Sequence, residues 1–278
     1  MTASPLAIDT TVRLRSGYEL PLLGLGVYMN DDAKTASLAA LKAGYRHIDS
    51  ARMYGNEAQV GEAVRESGIP RNQIYITSKV TNDDHGYEKT LAAVDESLKT
   101  FGFDYLDFML IHSAMSDKPT RLATWKALIE AKKAGKIRSI GVSNYGVKHL
   151  EEIREAGLEL PDVNQIELQP LNQQKEIAEY CNKHGIFIEA YAPLMRTQWD
   201  VPAILEVAKK YNKTPAQILV RWSLQRGFAP LPKSANPARV ASNADVYDFE
   251  LSAEDVARID ALDRGKEGTI TWNPVDVD

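Results

Sequence analysis

Short, nearly continuous apolar runs recur along the chain and alternate with segments of helical periodicity. Because the runs are apolar at successive rather than alternate positions, they are typical of parallel strands buried on both faces. We predict eight strands from them, at residues 21–27, 45–50, 73–80, 106–112, 137–144, 163–168, 186–192 and 228–234.

The segments between these runs have the spacing and the end signals of helices. Residues 57–68, 89–102 and 146–157 carry apolar positions three or four apart, and each segment ends at a glycine, the usual signal for a helix C-terminus. Asn56-Glu57 is predicted to cap the first of them. Eight strands alternating with helices, with no linker between them, predict a (β/α)8 TIM barrel that forms a single domain over residues 1–278.

Three segments lie outside this repeat. Residues 11–21 predict a hairpin that turns at Ser16-Gly17 and plugs the N-terminal end of the barrel. Residues 252–265 predict an extra C-terminal helix that opens with a capping-box-like Ser252 and Asp255. The polar tail 269–278 is expected to be either a lid or a frayed end.

The composition limits the classes of function. Of 278 residues, 44% are hydrophobic and 26% charged, as in ordinary globular proteins. A net charge of -5 gives no basic footprint for nucleic acid or an anionic membrane surface. Cys181 is the single cysteine, which excludes an intramolecular disulfide and fits a reducing compartment. With no signal peptide pattern and no membrane-length apolar run, we predict a cytoplasmic protein.

Polar residues end strand after strand, where barrels of this type place their function. Asp49, Lys79 and His112 end the second, third and fourth predicted strands. The later strands contribute Ser143, Asn144, Gln165, Glu167, Tyr191, Lys233 and Ser234. Such a convergence on one mouth is hard to explain by packing alone.

Each of these residues also has a structural interpretation. Asp49 with Ser50 could cap a turn, Tyr54 could be a rim aromatic, and His112 could be a core histidine. These interpretations weaken together, because a barrel gathers the side chains around one point. A buried Lys79 also needs a counter-ion, which Asp49 on the neighbouring strand supplies.

These residues together suit proton transfer. Tyrosine has a pKa of about 10, and a lysine cation beside Tyr54 is expected to lower that pKa. A histidine across the pocket can orient a substrate oxygen. We therefore expect proton donation to a carbonyl that becomes an alkoxide.

The motifs resemble those of the aldo-keto reductases. GYRHIDSARMYGNE at 44–57 is followed in order by ITSKV, LIH, SIGVSN, QIELQP and LPKS, over essentially the whole chain. The resemblance implies a catalytic tetrad of Asp49, Tyr54, Lys79 and His112. Tyr54 would be the general acid, assisted by Lys79 and Asp49, and His112 would orient the substrate.

The resemblance also implies NADPH, bound across the barrel mouth without a Rossmann domain. The GLGVY stretch at 24–28 lacks the third glycine of the dinucleotide fingerprint, in keeping with this. The implied nicotinamide contacts are Ser143, Asn144, Gln165 and the stacking Tyr191, with Leu194 as a further cofactor contact. The implied adenosine-phosphate contacts are Lys233, Ser234, Arg239 and Asn243. Two cations beside a helix start also suit a phosphate on physical grounds.

Two departures concern the substrate pocket. Many relatives have Trp-Pro where this chain has Ser113-Ala114, and many have tryptophan in place of Tyr28. We therefore predict a wider or more polar pocket, lined by Tyr28, His112 and Ser113.

The leading hypothesis is an NADPH-dependent monomer that reduces a small aldehyde or ketone. One alternative is an NADPH-binding, redox-sensing regulatory subunit with weak reductase activity. Another is a metal-dependent hydrolase using His47, Asp49 and His112. Lys79 would repel a divalent cation there and no second histidine pair appears, so no metal is predicted.

Overall fold

A closed ring of parallel strands forms the centre of the protein, which a computed structural model describes over residues 5–278. The strands are β1 Thr11–Arg13, β2 Glu19–Pro21, β3 Gly24–Gly26, β4 His47–Asp49, β5 Tyr75–Val80, β6 Leu106–Ile111, β7 Ile137–Ser143, β8 Val163–Glu167, β9 Phe187–Tyr191 and β10 Ala229–Pro230. The helices are α1 Ala33–Lys42, α2 Glu57–Glu66, α3 Tyr87–Phe101, α4 Lys118–Lys133, α5 Val147–Glu155, α6 Lys175–Lys183, α7 Pro202–Tyr211, α8 Pro215–Gln225, α9 Pro237–Ala244 and α10 Ala253–Asp260.

The strands β3 to β10 pair in sequence order, each parallel to the next. A parallel bridge between Gly26 and Lys233 closes the ring. The predicted TIM barrel is therefore confirmed. Apolar side chains of the strands pack against the surrounding helices in one large core.

Some strands are shorter than predicted. β4 covers three residues instead of six, and β10 covers only Ala229–Pro230 of the predicted 228–234. Pro230 and Pro232 have no N–H to donate to a ladder. The Leu231 N–H between them donates to the Ala190 carbonyl at 3.0 Å, and the Pro232 carbonyl accepts the Gly26 N–H at 3.1 Å beside the closing bridge.

The three predicted helices are present as α2, α3 and α5. Their terminal glycines adopt positive φ, as at Gly102 with 73° at the end of α3, a conformation that glycine adopts without steric cost. Asn56 occupies the N-cap position of α2, but its side chain does not cap the helix. The Asn56 side chain donates to the Val27 carbonyl at 2.9 Å and accepts from Ser50 Oγ at 2.8 Å. It therefore links the ends of β3 and β4 instead of capping α2.

The hairpin β1–β2 closes the N-terminal end of the barrel, as predicted. Leu14 and Leu20 pack against the barrel residues Tyr75, Phe108 and Leu110. The hairpin turn, where Gly17 has a φ of 88°, is fixed to the barrel by Asp162. Its Oδ1 accepts the Ser16 N–H at 2.6 Å, and its Oδ2 accepts the Ile140 N–H at 3.1 Å.

The extra helix and the tail are the last two segments of the chain. α10 begins after Ser252, whose Oγ accepts the Asp255 N–H at 3.2 Å as expected. The tail is docked, since Val277 O lies 2.8 Å from His149 Nε2 and Val275 is buried. The frayed-end interpretation is therefore wrong. Between residues 5 and 278, no helix is long and apolar enough to cross a membrane.

Candidate active site

A cavity of about 640 Å³ opens at the C-terminal ends of the barrel strands. It extends from the ends of β4 and β6 to the segment between β10 and α9. The predicted site residues that line it are Tyr28, Asp49, Tyr54, His112, Ser143, Asn144, Gln165, Tyr191, Leu194, Lys233, Ser234 and Arg239.

Lys79 and Asp49 form a buried ion pair beneath this cavity. Asp49 is opposite Thr77 in the β4–β5 register, so Lys79 lies two residues further along the neighbouring strand. Lys79 Nζ donates to Asp49 Oδ1 at 2.6 Å and to the Ser50 carbonyl at 2.8 Å. Lys79 is fully buried, and a lysine in that setting stays charged only with such partners.

Tyr54 reaches the ion pair from a short 3₁₀ helix, Arg52–Tyr54, that follows β4. Its Oη lies 3.5 Å from Lys79 Nζ. The loop is held from outside by Arg52, which donates to Asp84 at 2.9 Å and to Glu96 at 2.7 Å. The phenol is therefore carried from the strand end back over Lys79.

The pKa of Tyr54 is raised well above 10, because burial removes water from the phenolate and Asp49 adds a negative charge nearby. The net shift of this pKa is upward, opposite to the lowering that the Lys79 cation was expected to produce, because burial and the charge of Asp49 outweigh it. The ammonium is directed at Asp49 and Ser50, at shorter distances than its distance to the phenol. Tyr54 therefore holds its proton firmly at neutral pH.

His112 lies across from the phenol, with ring centroids 5.7 Å apart. Burial, with Lys79 as a nearby cation, lowers the pKa of His112 to about 3, so the imidazole is neutral. Its Nδ1 is buried without a hydrogen-bond partner in residues 5–278, which leaves Nε2 as the nitrogen that can meet a ligand.

Gln165 presents a fixed carboxamide to the cavity. Its Nε2 donates to Asp49 Oδ2 at 2.9 Å and to Glu189 Oε2 at 2.8 Å. Both amide hydrogens are thus engaged, and Oε1 is the atom left to accept from a ligand. The backbone carbonyl of Gln165 also accepts from Ser143 Oγ at 2.8 Å.

Asn144 and Tyr191 form a second polar group beside it. Asn144 has a φ of 58°, a left-handed conformation that asparagine tolerates better than most residues. Its Nδ2 donates to the His112 carbonyl at 3.1 Å. Tyr191 Oη is 2.7 Å from Asn144 Oδ1 and 2.8 Å from the Trp272 carbonyl, so the ring of Tyr191 is held at the mouth by its hydroxyl.

The far end of the cavity is cationic. Lys233 and Arg239 line it and are exposed. Asn236 caps α9 by accepting the Ala238 and Arg239 N–H groups at 2.9 and 3.2 Å. Because these helix N–H groups are already bonded, the side chains of Lys233, Ser234 and Arg239 are what the site offers to an anion.

Three predicted residues do not line the cavity. Ser113 is fully buried, lies outside the lining and donates to Asn82 Oδ1 at 2.6 Å, so its predicted place in the substrate pocket is not supported. Asn243 is buried in α9 and lies outside the lining, so its predicted contact with adenine is not supported. Lys79 lies beneath the lining, with Nζ 3.5 Å from Tyr54 Oη.

Sequence reasoning missed several lining residues, among them Met29, Met53, Arg196, Thr271 and Trp272. They come from loops and from the tail, where hydrophobic periodicity carries no signal. Met195, Arg196 and Thr197 have φ values of 50°, 46° and 66°, and no glycine in the sequence marks this left-handed run.

The proposed metal ligands are engaged differently. His47 Nε2 lies 2.9 Å from Thr77 Oγ1, and Asp49 is bonded to Lys79. In the part of the chain that the structure describes, no group of three or more His, Cys, Asp or Glu side chains is arranged to hold a metal ion.

The sequence model of the Aldo/keto reductase family matches residues 23–264. The chain belongs to this family. It is therefore an oxidoreductase, as the sequence motifs predicted.

Named relatives agree with this assignment. The chain is 47% identical to the glyoxal reductase of Bacillus subtilis, over 94% of this chain and 95% of that protein. An aldo-keto reductase from a Medee basin deep-sea metagenome library superposes with a TM-score of 0.92 at 42% identity, over 97% of this chain and 100% of the other. The Bombyx mori aldo-keto reductase, solved in complex with NADP, has a TM-score of 0.87 at 34% identity, over 93% and 94% of the two chains.

The cofactor named for the Bombyx mori enzyme, NADP, is the one that the sequence motifs predicted. Their names describe enzymes and do not support the alternative of a regulatory subunit.

Proposed function

We propose that the protein is an NADPH-dependent reductase that converts an aldehyde or ketone to the alcohol. One observation carries the proposal. A neutral phenol, a buried lysine–aspartate pair and a neutral imidazole meet at one end of a cavity whose other end carries two exposed cations.

The residues of the cavity fit a nicotinamide nucleotide. The Gln165 amide oxygen and the amide of Asn144 suit a carboxamide, and the ring of Tyr191 offers a face for stacking. Lys233, Ser234 and Arg239 suit a phosphate. The NADP complex of the Bombyx mori relative supports NADP as this chain's cofactor.

When bound, the reduced nicotinamide supplies the hydride that adds to the carbonyl carbon. Tyr54 then donates its proton to the carbonyl oxygen as negative charge develops there. His112, which is neutral, donates a hydrogen bond from Nε2 to the same oxygen and fixes its position. His112 is buried and Tyr54 partly buried, which limits the access of water to this oxygen.

The raised pKa of Tyr54 is compatible with its role as general acid. A phenol with a high pKa stays protonated until the oxygen opposite becomes a strongly basic alkoxide. The phenolate left behind faces the Lys79 ammonium, whose charge Asp49 maintains at 2.6 Å. The ammonium, 3.5 Å from Tyr54 Oη, therefore offsets part of the cost of the buried phenolate that the proton transfer leaves behind.

The substrate is proposed only as a class. The similarity to a glyoxal reductase supports inclusion of glyoxal and methylglyoxal in a carbonyl panel, beside propanal and benzaldehyde. A single-domain, monomeric, cytoplasmic enzyme remains our prediction from the sequence, and size-exclusion chromatography tests the monomer.

The first prediction concerns Tyr54→Phe. This substitution keeps the ring and removes only the proton donor, so we expect NADPH affinity within about twofold of wild type. Turnover should fall by about a hundredfold or more, the usual contribution of general acid catalysis. NADPH fluorescence measures binding, and absorbance of the reduced nicotinamide measures turnover over the panel.

Two outcomes of this experiment count against the proposal. Turnover retained in Tyr54→Phe contradicts the assignment of the acid. Tight NADPH binding by the wild-type protein with no reduction of any carbonyl favours the redox-sensing alternative.

A further inference from the structure

Glu167 is a buried carboxylate at the end of β8 that the proposed chemistry does not use. It is fully buried, and the C-terminal tail surrounds it. Its Oε1 accepts the Ile270 N–H at 3.0 Å and Gln169 Nε2 at 3.3 Å. Its Oε2 accepts the Thr271 N–H at 2.9 Å and the Thr271 hydroxyl.

These contacts hold the tail where it crosses the mouth of the cavity. Thr271 and Trp272 both line the cavity, and the side chain of Trp272 is 49% exposed. It shares the lining with Tyr28 and Met53, which are also exposed apolar side chains. These side chains give the cavity an apolar rim, and the ring of Tyr28 lies 5.1 Å from that of Tyr54.

The carboxylate and the tail depend on each other. A buried carboxylate is strongly unfavourable unless donors replace its lost water, and three of the four donors here come from residues 270–271. Charge-assisted hydrogen bonds of this kind are roughly twice as strong as neutral ones. Glu167 is thus the strongest polar attachment of the segment next to Trp272.

The other attachments near residues 270–272 are neutral hydrogen bonds, from Gln169 Nε2 to the Gly268 carbonyl at 2.8 Å and from Gln174 Nε2 to Asn273 Oδ1 at 3.2 Å. Tyr191 Oη has one hydrogen, which it shares between the Trp272 carbonyl and Asn144 Oδ1. The end of the tail is fixed separately, by His149 at Val277 and by Arg121, which donates to the Asp278 carbonyl at 3.1 Å. Loss of the Glu167 contacts should therefore loosen residues 270–272 without releasing the last residues.

We propose that Glu167 is a positioning residue that sets substrate specificity through Trp272. It fixes the indole as one wall of the substrate pocket, and this wall favours carbonyl compounds with an aromatic group over short aliphatic ones. An aromatic pair in offset or edge-to-face contact adds stabilisation that a short alkyl chain does not gain. The inference rests on the proposed carbonyl reduction and adds the origin of its specificity.

The test compares benzaldehyde with propanal for Glu167→Gln, an isosteric change that removes the charge and turns one acceptor into a donor. We expect kcat/KM for benzaldehyde to fall about fivefold to tenfold, mainly through KM, because the wall is no longer fixed. For propanal it should change by less than about twofold. Thr271→Val, which removes one of the four donors, should shift the ratio in the same direction by a smaller factor.

A double variant separates positioning from general damage. Trp272→Ala should lower the benzaldehyde-to-propanal ratio by about the same factor, and Glu167→Gln added to it should change the ratio no further. Asp162→Asn is the matched control, since Asp162 is also buried and also accepts two backbone N–H groups, but at the opposite end of the barrel. It should leave the ratio unchanged.

The inference is overturned if Glu167→Gln lowers kcat/KM equally for benzaldehyde and propanal. It is also overturned if Glu167→Gln still lowers the benzaldehyde-to-propanal ratio of kcat/KM in the Trp272→Ala background. Acrylamide quenching of tryptophan fluorescence provides a readout without turnover. Glu167→Gln should raise quenching in the wild-type background and leave it unchanged in the Trp272→Phe background. An equal change in quenching in both backgrounds refutes the attachment of Trp272 by Glu167. An absence of turnover in the wild-type protein instead refutes the proposed function.

Discussion

At the scale of single residues, Glu189 is the most unusual ionisable group in the barrel interior. Its Oε2 accepts from Gln165 Nε2 at 2.8 Å, whereas its Oε1 is buried without a partner in the described residues and lies 3.8 Å from His47 Nε2. Burial, together with the charge of nearby Asp49, raises the pKa of Glu189 to about 8. Burial also lowers the pKa of His47 to about 4, so both groups are neutral at pH 7 and Asp49 is the carboxylate that pairs with Lys79.

The raised pKa of Glu189 predicts a loss of stability with increasing pH. The pKa of Glu189 rises from about 4.5 in the unfolded chain to about 8 in the folded protein. At pH values between these two, the folded state binds more protons than the unfolded state. Its stability therefore falls as pH rises through that window, by at most about 1.4 kcal/mol per pH unit. In urea unfolding at pH 6 and pH 7.5, Glu189→Gln should lose less stability between the two pH values than the wild type does. Glu88→Gln, at an exposed site on α3, should behave as wild type, and an unchanged pH dependence in Glu189→Gln refutes the assignment.

Among the individual residues, strand-end position was enough to bring Asp49, Lys79 and His112 together from the sequence. The local environment was not accessible in the same way. Burial and the nearby charge of Asp49 raise the pKa of Tyr54, and both depend on three-dimensional distances. The hydrogen bond from Ser113 to Asn82, a residue from another loop, likewise depends on the fold.

At the scale of elements, the two additions to the barrel are attached in the same way. The hairpin is fixed by Asp162 and the tail by Glu167, and each carboxylate is buried and accepts two backbone N–H groups. Asp162 lies at the end of the barrel opposite to the cavity, whereas Thr271, which Glu167 holds, lines the cavity. The hairpin should therefore contribute to stability, whereas the tail should contribute to specificity.

Asp162→Asn tests the structural half of this division. The amide that replaces one carboxylate oxygen cannot accept, so it leaves a buried N–H of Ser16 or Ile140 unpaired. We expect a loss of about 1–3 kcal/mol in the free energy of unfolding, measured with urea. KM for NADPH and for propanal should stay within about twofold, because the cavity is at the other end of the barrel. A change in KM without a change in stability contradicts this role for the hairpin.

Hydrophobic runs and terminal glycines predicted the barrel and the helices α2, α3 and α5, because buried strands and helix ends constrain residue type directly. The loop after β9 lacks such a constraint. Ala192, Met195, Arg196 and Thr197 adopt positive φ without glycine, so the surrounding structure imposes the conformation. Its contribution to the cavity, through Arg196, was accordingly missed.

At the scale of the whole molecule, the local charge at the cavity has the opposite sign to the net charge. The chain carries a net charge of -5, yet Lys233 and Arg239 lie together at one end of the cavity. We therefore expect a dinucleotide phosphate to approach an acidic protein and to bind at this local cationic site. Long-range repulsion is screened at physiological salt, where the Debye length is about 8 Å, so the local contact decides affinity.

Arg239→Ala measures how much of the affinity comes from this local contact. A charge-assisted hydrogen bond to phosphate is worth about 1.5–3 kcal/mol, so the Kd for NADPH should rise about tenfold or more. The Kd for NADH, which lacks the 2′-phosphate, should change by less than about twofold.

Arg13→Ala is the matched control, since Arg13 is exposed on β1 at the opposite end of the barrel and its loss lowers the net charge equally. If Arg13→Ala weakens NADPH as much as Arg239→Ala does, overall charge governs binding. If Arg239→Ala weakens NADPH and NADH equally, Arg239 contacts a part of the nucleotide that both cofactors share.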